Sequence, residues 1–313
     1  MRVRRVFVIG NISLDLILGG IPDFPEWGVE VLVPGYVMRP GGAGSNAALA
    51  LSALGVETFI VGTIGKDEVG EEIKQAFQTR GVRTDFLFEE AEWQTGLSVA
   101  LTHAVSKERS FFTELGAQSA LSLTHLKRVY PFLEEDDGVL LCGYFLSPGI
   151  RNRETALFLQ ELKREKGGTL LLDTGWPTEG WTQEVKEEIK RLLAPFDYFL
   201  PNEKEIAGLL GEAEKIFSFW SGLLVVKLGS VGCCLYTPSS SFLQSTIPVT
   251  VQDTIGAGDY FNAGFLWALQ EGYEIKEALF FANLVASLNI ASSPQRDRLV
   301  GKDGIREYVR SRR

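Results

Sequence analysis

Short apolar runs alternate along most of this chain with longer segments whose apolar residues recur every three or four positions. RRVFVIG (4–10), TFIVGTIG (58–65), GVLLCGYF (138–145), TLLLDTG (169–175), FDYFLP (196–201) and GLLVVKLG (222–229) have the length and apolar content of buried strands. GSNAALALSALG (44–55), EVGEEIKQAFQTRG (68–81), RETALFLQELKREKGG (153–168) and NEKEIAGLLG (202–211) carry the helical period instead. Strands alternating with helices predict a mostly parallel sheet, joined by crossover helices and covered on both faces. The expected fold class is α/β.

Two stretches break the alternation. EVLVPGYVM (30–38) and residues 85–115 are extended in character and have no helix of their own. Strands inserted into an α/β domain most simply make a small separate sheet, which can serve as a lid or as a surface for pairing two subunits. Lid strands are therefore expected at about 12–38 and 86–115, within one domain spanning 1–313, because no composition shift or low-complexity linker divides the chain.

Composition narrows the ligands. Forty Asp plus Glu against 31 Lys plus Arg give a formal charge of −9, which lacks the footprint of a nucleic-acid binder and favours small polar molecules. Cys142, Cys233 and Cys234 have neither metal-ligand spacing nor the even count of a disulfide framework, so buried thiols in a reducing cytoplasm are expected. The basic start is followed by an apolar stretch that Gly10, Asn11, Ser13 and Asp15 interrupt, unlike a signal peptide, and no run reaches the roughly 18–20 apolar residues of a membrane span.

The candidate chemistry lies in DTIGAGDYFNAGF (253–265). Phe261, Phe265 and Leu269 fall four apart, so a buried helix begins at the GAGD turn. The first N–H groups of a helix lack internal partners and its dipole is positive there, so Gly256, Ala257 and Gly258 offer donors to an anion. Asp259 at this place serves as a helix cap in its plain structural role. In its functional role it takes the proton of an attacking hydroxyl, while the N–H cradle receives the charge of a transferring phosphoryl group.

This stretch resembles the C-terminal signature of the PfkB, or ribokinase-like, carbohydrate kinases, and PGGAGSNAALALSALG (40–55) resembles their N-terminal signature. GNISLDLI (10–17) and PNEKEIAGLLG (201–211), with the Asn-x-x-Glu element at Asn202 and Glu205, follow the family's order. The resemblance implies a three-layer α/β/α fold with a β lid and transfer of the ATP γ-phosphate to a substrate hydroxyl with Mg²⁺. It makes Asp259 the base and Gly256, Ala257 and Gly258 the anion hole. Asp15, Gly41, Gly42 and Asn46 would hold substrate hydroxyls, and Asn202 and Glu205 would organise Mg²⁺ through its waters. Lys227, Gly229 and Asn283 would sit by the nucleotide. Many relatives also bind K⁺ beside the anion hole; Asp253 and the stretch near Ser292 are the candidates here. The β lid offers a pairing surface for a homodimer.

The chain departs from the family pattern at two points. Where many members follow the fifth-strand Asp with Asn and Arg, LLDTGWPTEGW (171–181) has Asp173 and Trp176 but no Arg, and Ala43 stands where ribokinases and phosphofructokinase-type members have Lys. Arg39, Lys107 and Arg109 are the cations near the expected sugar site, and the last two read as solvated charges at a hairpin turn. Phe111 and Trp93 are candidate covers for the sugar ring. These features favour an unphosphorylated sugar or a nucleoside as acceptor. Two other classes remain in view, a non-catalytic sugar or nucleotide sensor and an oxidoreductase using GGAGSNA with Asp67 as a dinucleotide fingerprint. Pro40, leading into those glycines, disfavours the latter.

Overall fold

In β1 (Arg5–Gly10), Val6 and Val8 face one side of a sheet and Phe7 and Ile9 the other, all four buried. A strand apolar on both faces belongs at the centre of a covered sheet. The computed structural model describes residues 3–105, 109–292 and 301–311. The remaining strands are β2 (Ser13–Ile21), β3 (Tyr36–Gly41), β4 (Glu57–Gly65), β5 (Arg83–Glu90), β6 (Gly96–His103), β7 (Arg109–Glu114), β8 (Gly138–Cys142), β9 (Thr169–Asp173), β10 (Tyr198–Phe199), β11 (Leu223–Lys227), β12 (Gly232–Thr237) and β13 (Ser240–Ser245). The α-helices are α1 (Ala43–Ala53), α2 (Glu68–Thr79), α3 (Leu123–Val129), α4 (Arg153–Lys166), α5 (Gln183–Leu193), α6 (Glu203–Leu210), α7 (Ala257–Glu271), α8 (Ile275–Ala291) and α9 (Lys302–Ser311).

Nine strands form the large sheet in the order β13-β12-β11-β10-β9-β8-β1-β4-β5, and β3-β2-β6-β7 form a separate four-stranded sheet. From β11 to β5 the large sheet is parallel; β12 and β13 close one edge as an antiparallel hairpin, which the strand-helix alternation did not predict. One core joins Val6 and Val8 to Leu51, Phe265 and Leu284 of α1, α7 and α8. The other joins Phe7 and Ile9 to Leu159, Ile189 and Ile206 of α4, α5 and α6. This is the three-layer arrangement of helices on both faces of a sheet.

Residues 83–90 correct the sequence reading. They form an edge strand of the large sheet instead of part of the lid, because Phe86 packs against the stacked rings of Phe7 and Phe59. Residues 30–35 are not strand either; the small sheet takes up the chain only at Tyr36.

The small sheet has two unlike faces. Asp15 is opposite Arg39 and Ser98, Ile17 opposite Val37 and Ala100, and Ala100 opposite Phe111, so these side chains share a face. Ile17 and Ala100 on that face pack on Ile255, just before the GAGD turn. On the opposite face lie Leu16, Met38, Val99 and Phe112. Met38 and Phe112 are 51% and 53% exposed. The small sheet thus covers the carboxyl end of the large one, where β1, β9 and β11 all end, with the face that carries Asp15 and Ile17.

Candidate functional site

Two helix N-termini meet at this end. After β3 the chain turns through Gly42 into α1, and after residue 253 it turns through Gly256 into α7, which packs beside α1. Gly256 has φ of +77°, a conformation that side chains with a Cβ adopt only under strain. Asn46 in the first turn of α1 donates from Nδ2 to Asp259 Oδ2 at 2.8 Å, so the carboxylate turns toward the cleft between the helices.

The donors of the GAGD turn are two glycine N–H groups and that of Asp259. Ala257, expected to offer its own, instead donates to the Thr254 carbonyl at 3.2 Å and closes the turn. Among the described residues, the N–H groups of Gly256, Gly258 and Asp259 have no protein acceptor. This is the arrangement of partial positive charge that a helix start presents to an anion.

Behind the turn lies a buried charge cluster. Lys227 at the end of β11 reaches back over residues 200–202, which still pair with both neighbouring strands, to Asp173 at the end of β9. Its Nζ is 2.7 Å from Asp173 Oδ2 and 3.4 Å from Asn262 Oδ1. A Cβ on Gly258 would sit 3.4 Å from the same Nζ, so the ammonium lies against the anion-hole turn. Lys227 is therefore neither a strand-end surface charge nor turned out to the solvent. Burial alone would lower its pKa, but the facing carboxylates of Asp173 and Glu205 carry it above the ordinary lysine value. Burial, and next the charge of Asp173, push Asp259 up to about 7, against the opposing pull of Asn46 and Lys227.

Asn202 and Glu205 open α6 as a reciprocal cap. The Asn202 N–H and Nδ2 donate to the two Glu205 oxygens at 2.9 and 2.8 Å, and the Glu205 N–H donates back to Asn202 Oδ1 at 2.9 Å. Glu205 is 5% exposed, and burial followed by the charge of Asp173 pushes it up to about 7. Each carboxylate oxygen keeps a second lone pair for a water molecule. Among the described residues, no three His, Cys, Asp or Glu side chains group as a metal cage. That donor set fits Mg²⁺ carried on phosphates with most of its own waters, the usual habit of this ion.

On the lid side, Asp15 is 5% exposed, accepts from Ser13 Oγ at 3.3 Å, and is pushed up to about 6 by burial, against the pull of Arg39 and Ser13. Gly41 makes this possible, since a Cβ there would come within 1.9 Å of Asp15 Oδ1. Asn11, which the sequence reading passed over, pins the joint: its Oδ1 accepts from the Ala43 N–H and its carbonyl from the Gly44 N–H, both at 3.1 Å. Asn262 was also missed, although its place three residues after Asp259, on the same helix face, was a usable signal.

The remaining expected residues fall into different settings. Asn283 is buried between α8 and the β12–β13 hairpin, where Nδ2 donates to the Gln244 carbonyl at 3.1 Å, so its amide braces the fold. Gly229 starts a short 3-10 turn after β11, on the same loop as Lys227. Arg109 is not a solvated turn charge, since it is ion-paired with Asp253. Lys107 and residues 293–297 lie outside the described residues. All three cysteines are buried and free.

Removing one partner of a buried pair leaves the other charge uncompensated, which costs about 3–5 kcal/mol. Lys227→Met should therefore lower unfolding stability by roughly 3 kcal/mol in urea titrations. The double variant Asp173→Asn/Lys227→Met should recover most of that loss, and a full loss in the double variant would show that the pair is not the cause.

Comparison with known proteins follows this geometry. A family model described as "pfkB family carbohydrate kinase" matches residues 3–297. Ribokinase of Bacillus subtilis (strain 168) is 30% identical over 294 residues, covering 93% of this chain and 94% of that protein. Aminoimidazole riboside kinase of Salmonella typhimurium (strain LT2) is 27% identical, covering 99% of this chain and 96% of its own length. Among solved structures, Arabidopsis thaliana ribokinase complexed with ribose and ATP superposes with a TM-score of 0.80 at 26% identity, covering 97% of this chain and 98% of that one. With the signatures joined in space and the family match running nearly from end to end, this chain belongs to the pfkB family of carbohydrate kinases.

Proposed function

We propose that this protein transfers the γ-phosphate of ATP to a hydroxyl of an unphosphorylated sugar or nucleoside. The observation that carries the reading is the junction of Asp259 with unpaired helix-start N–H groups and the Lys227 ammonium. Asp259 is the base: held by Asn46, it takes the proton of the acceptor hydroxyl, and a value near 7 suits proton transfer at neutral pH. The N–H groups of Gly256 and Gly258 receive the phosphoryl oxygens, with Lys227 against the same turn. Asp15 accepts from ring hydroxyls, with Gly41, Gly42 and Asn46 lining the approach. Asn202 and Glu205 would hold waters of Mg²⁺, which would neutralise phosphate charge when bound. The Gly229 loop borders the nucleotide. The B. subtilis and A. thaliana relatives are named for ribose, and the latter was solved with ATP, which supports both halves of this reading.

The acceptor is neutral on electrostatic grounds. A substrate phosphate carries close to two charges and is normally met by Arg or Lys forks. Here Ala43 brings no charge, Arg109 is paired with Asp253, and Arg39 faces Asp15 across the β2–β3 register. The Asp15–Arg39 couple presents an acceptor and a donor to a hydroxylated ring with little net charge. Phe111 and Trp93, both partly exposed, are the covers for that ring.

The outer face of the lid supports pairing of two subunits. Met38 and Phe112 stand on it more than half exposed, and Phe24 lies 6.0 Å from the Phe112 ring. Apolar faces of this kind mark interaction sites. Free buried thiols and the use of ATP support a cytoplasmic location.

Three outcomes test the reading. The kcat/KM should rise with pH through an apparent pKa of about 7, because only ionised Asp259 accepts the proton; Asp259→Asn should remove that limb and lower kcat by about 10² to 10⁴-fold, and a loss under about tenfold would remove Asp259 from the role. A turnover panel with ATP and Mg²⁺ should favour free pentoses, hexoses, sugar acids or nucleosides over fructose 6-phosphate and tagatose 6-phosphate. A phosphorylated acceptor preferred by about tenfold, or 1.4 kcal/mol, would overturn the neutral assignment. Sedimentation should find a dimer that Phe112→Glu converts to monomer.

A further inference from the structure

The turn that leads into the anion-hole glycines is held from the lid. Arg109, the first residue of β7, pairs through Nη2 with the Asp253 carboxylate and donates from Nη1 to Thr254 Oγ1 at 2.8 Å. Its Nε donates to Thr102 Oγ1 on β6 at 3.2 Å, which fixes the fork against its own hairpin. Asp253 Oδ1 also accepts from the Ile255 N–H at 2.9 Å, so one carboxylate joins the guanidinium to the backbone of the turn. Ile255 itself packs on Ile17 and Ala100 of the lid. From the other side, the N–H groups of Gln252 and Asp253 donate to the Ile290 carbonyl near the end of α8, at 2.8 and 3.2 Å.

The pair is desolvated, with side-chain exposures of 10% for Arg109 and 3% for Asp253. A buried carboxylate needs a countercharge in place. Family resemblance leads to the expectation of a monovalent cation here with Asp253 among its ligands, but among the described residues a guanidinium already meets that carboxylate, which does not fit a bare cation at Asp253. A bare cation would supply charge alone. The guanidinium supplies charge together with directed donors, and it is covalently part of the lid.

We propose that Arg109 is a positioning residue that acts as the built-in cation of the anion-hole turn, so that the turn takes its working geometry from the lid and requires no monovalent metal ion at Asp253. The proposal rests on the reading of residues 256–259 as the phosphoryl-transfer site. Arg109 touches neither substrate nor phosphate; it acts through Asp253 and Ile255 on the N–H groups that do.

The test compares wild type, Arg109→Met and Arg109→Lys in potassium chloride and in choline chloride at equal ionic strength. Wild-type kcat should change by less than about twofold between the salts, whereas Arg109→Met should lose about tenfold or more in choline and regain part of it in potassium. Arg109→Lys, which restores a charge without the fork, should fall between them. Thermal melting of the ligand-free proteins gives a second readout: potassium should stabilise Arg109→Met and leave the wild type unchanged. Activation of the wild type by potassium of about tenfold, or an Arg109→Met variant with wild-type kcat in choline, would overturn the proposal. Potassium that stabilises the wild type, or fails to stabilise Arg109→Met, would overturn it too. If no variant transfers phosphate with any acceptor, the reading of the site fails, and the melting curves still decide the role of Arg109.

Discussion

Three carboxylates, Asp173, Glu205 and Asp259, converge on the ammonium of Lys227, and the carboxyl end of the large sheet is organised around that imbalance. One cation cannot neutralise three anions at close range. Burial first, and then the charge of Asp173, make Asp259 and Glu205 hold their protons more tightly than free carboxylic acids, and positive backbone poles at the starts of α1 and α7 face the same space. The resulting surface is acidic in its side chains and electropositive in its main chain. Such a surface discriminates by distance, rewarding a ligand that lays its phosphates along the backbone and its hydroxyls along the carboxylates.

The geometry of the sheet makes this concentration of charge feasible. The contributing strands run parallel and end at the same edge of the sheet, and the chain departs from β1 toward the lid at the point where strand order reverses between β8 and β4. That crevice is where open α/β sheets place their ligands. The Lys227 side chain spans the backbone of residues 200–202, which pairs with β9 on one side and β11 on the other, to reach Asp173.

Much of this was legible in the sequence, and the parts that were not share a cause. Periodicity marks where a segment's apolar side lies, so the parallel strands and the start of α7 at Ala257 could be read directly. The pairing of residues distant along the chain carries no periodic signal. Residues 83–90 look like lid sequence until the Phe7, Phe59 and Phe86 rings are seen together. Lys227 looks like a strand-end charge until Asp173 is placed beside it, and Arg109 like a turn charge until Asp253 is found 144 positions away. Glycine motifs announce a close approach but do not name its partner; that Gly41 makes room for the Asp15 carboxylate needed three dimensions.

Between the end of β3 at Gly41 and the start of α1 at Ala43 there is a single residue. A joint so short leaves almost no slack, and Asn11 clamps its far side through Ala43 and Gly44. The lid is thus a lever whose fulcrum is Gly42 and whose short arm carries Asn46. The first turn of α1 carries the amide that orients Asp259. The seating of the small sheet and the orientation of the Asp259 carboxylate are thus fixed at one joint.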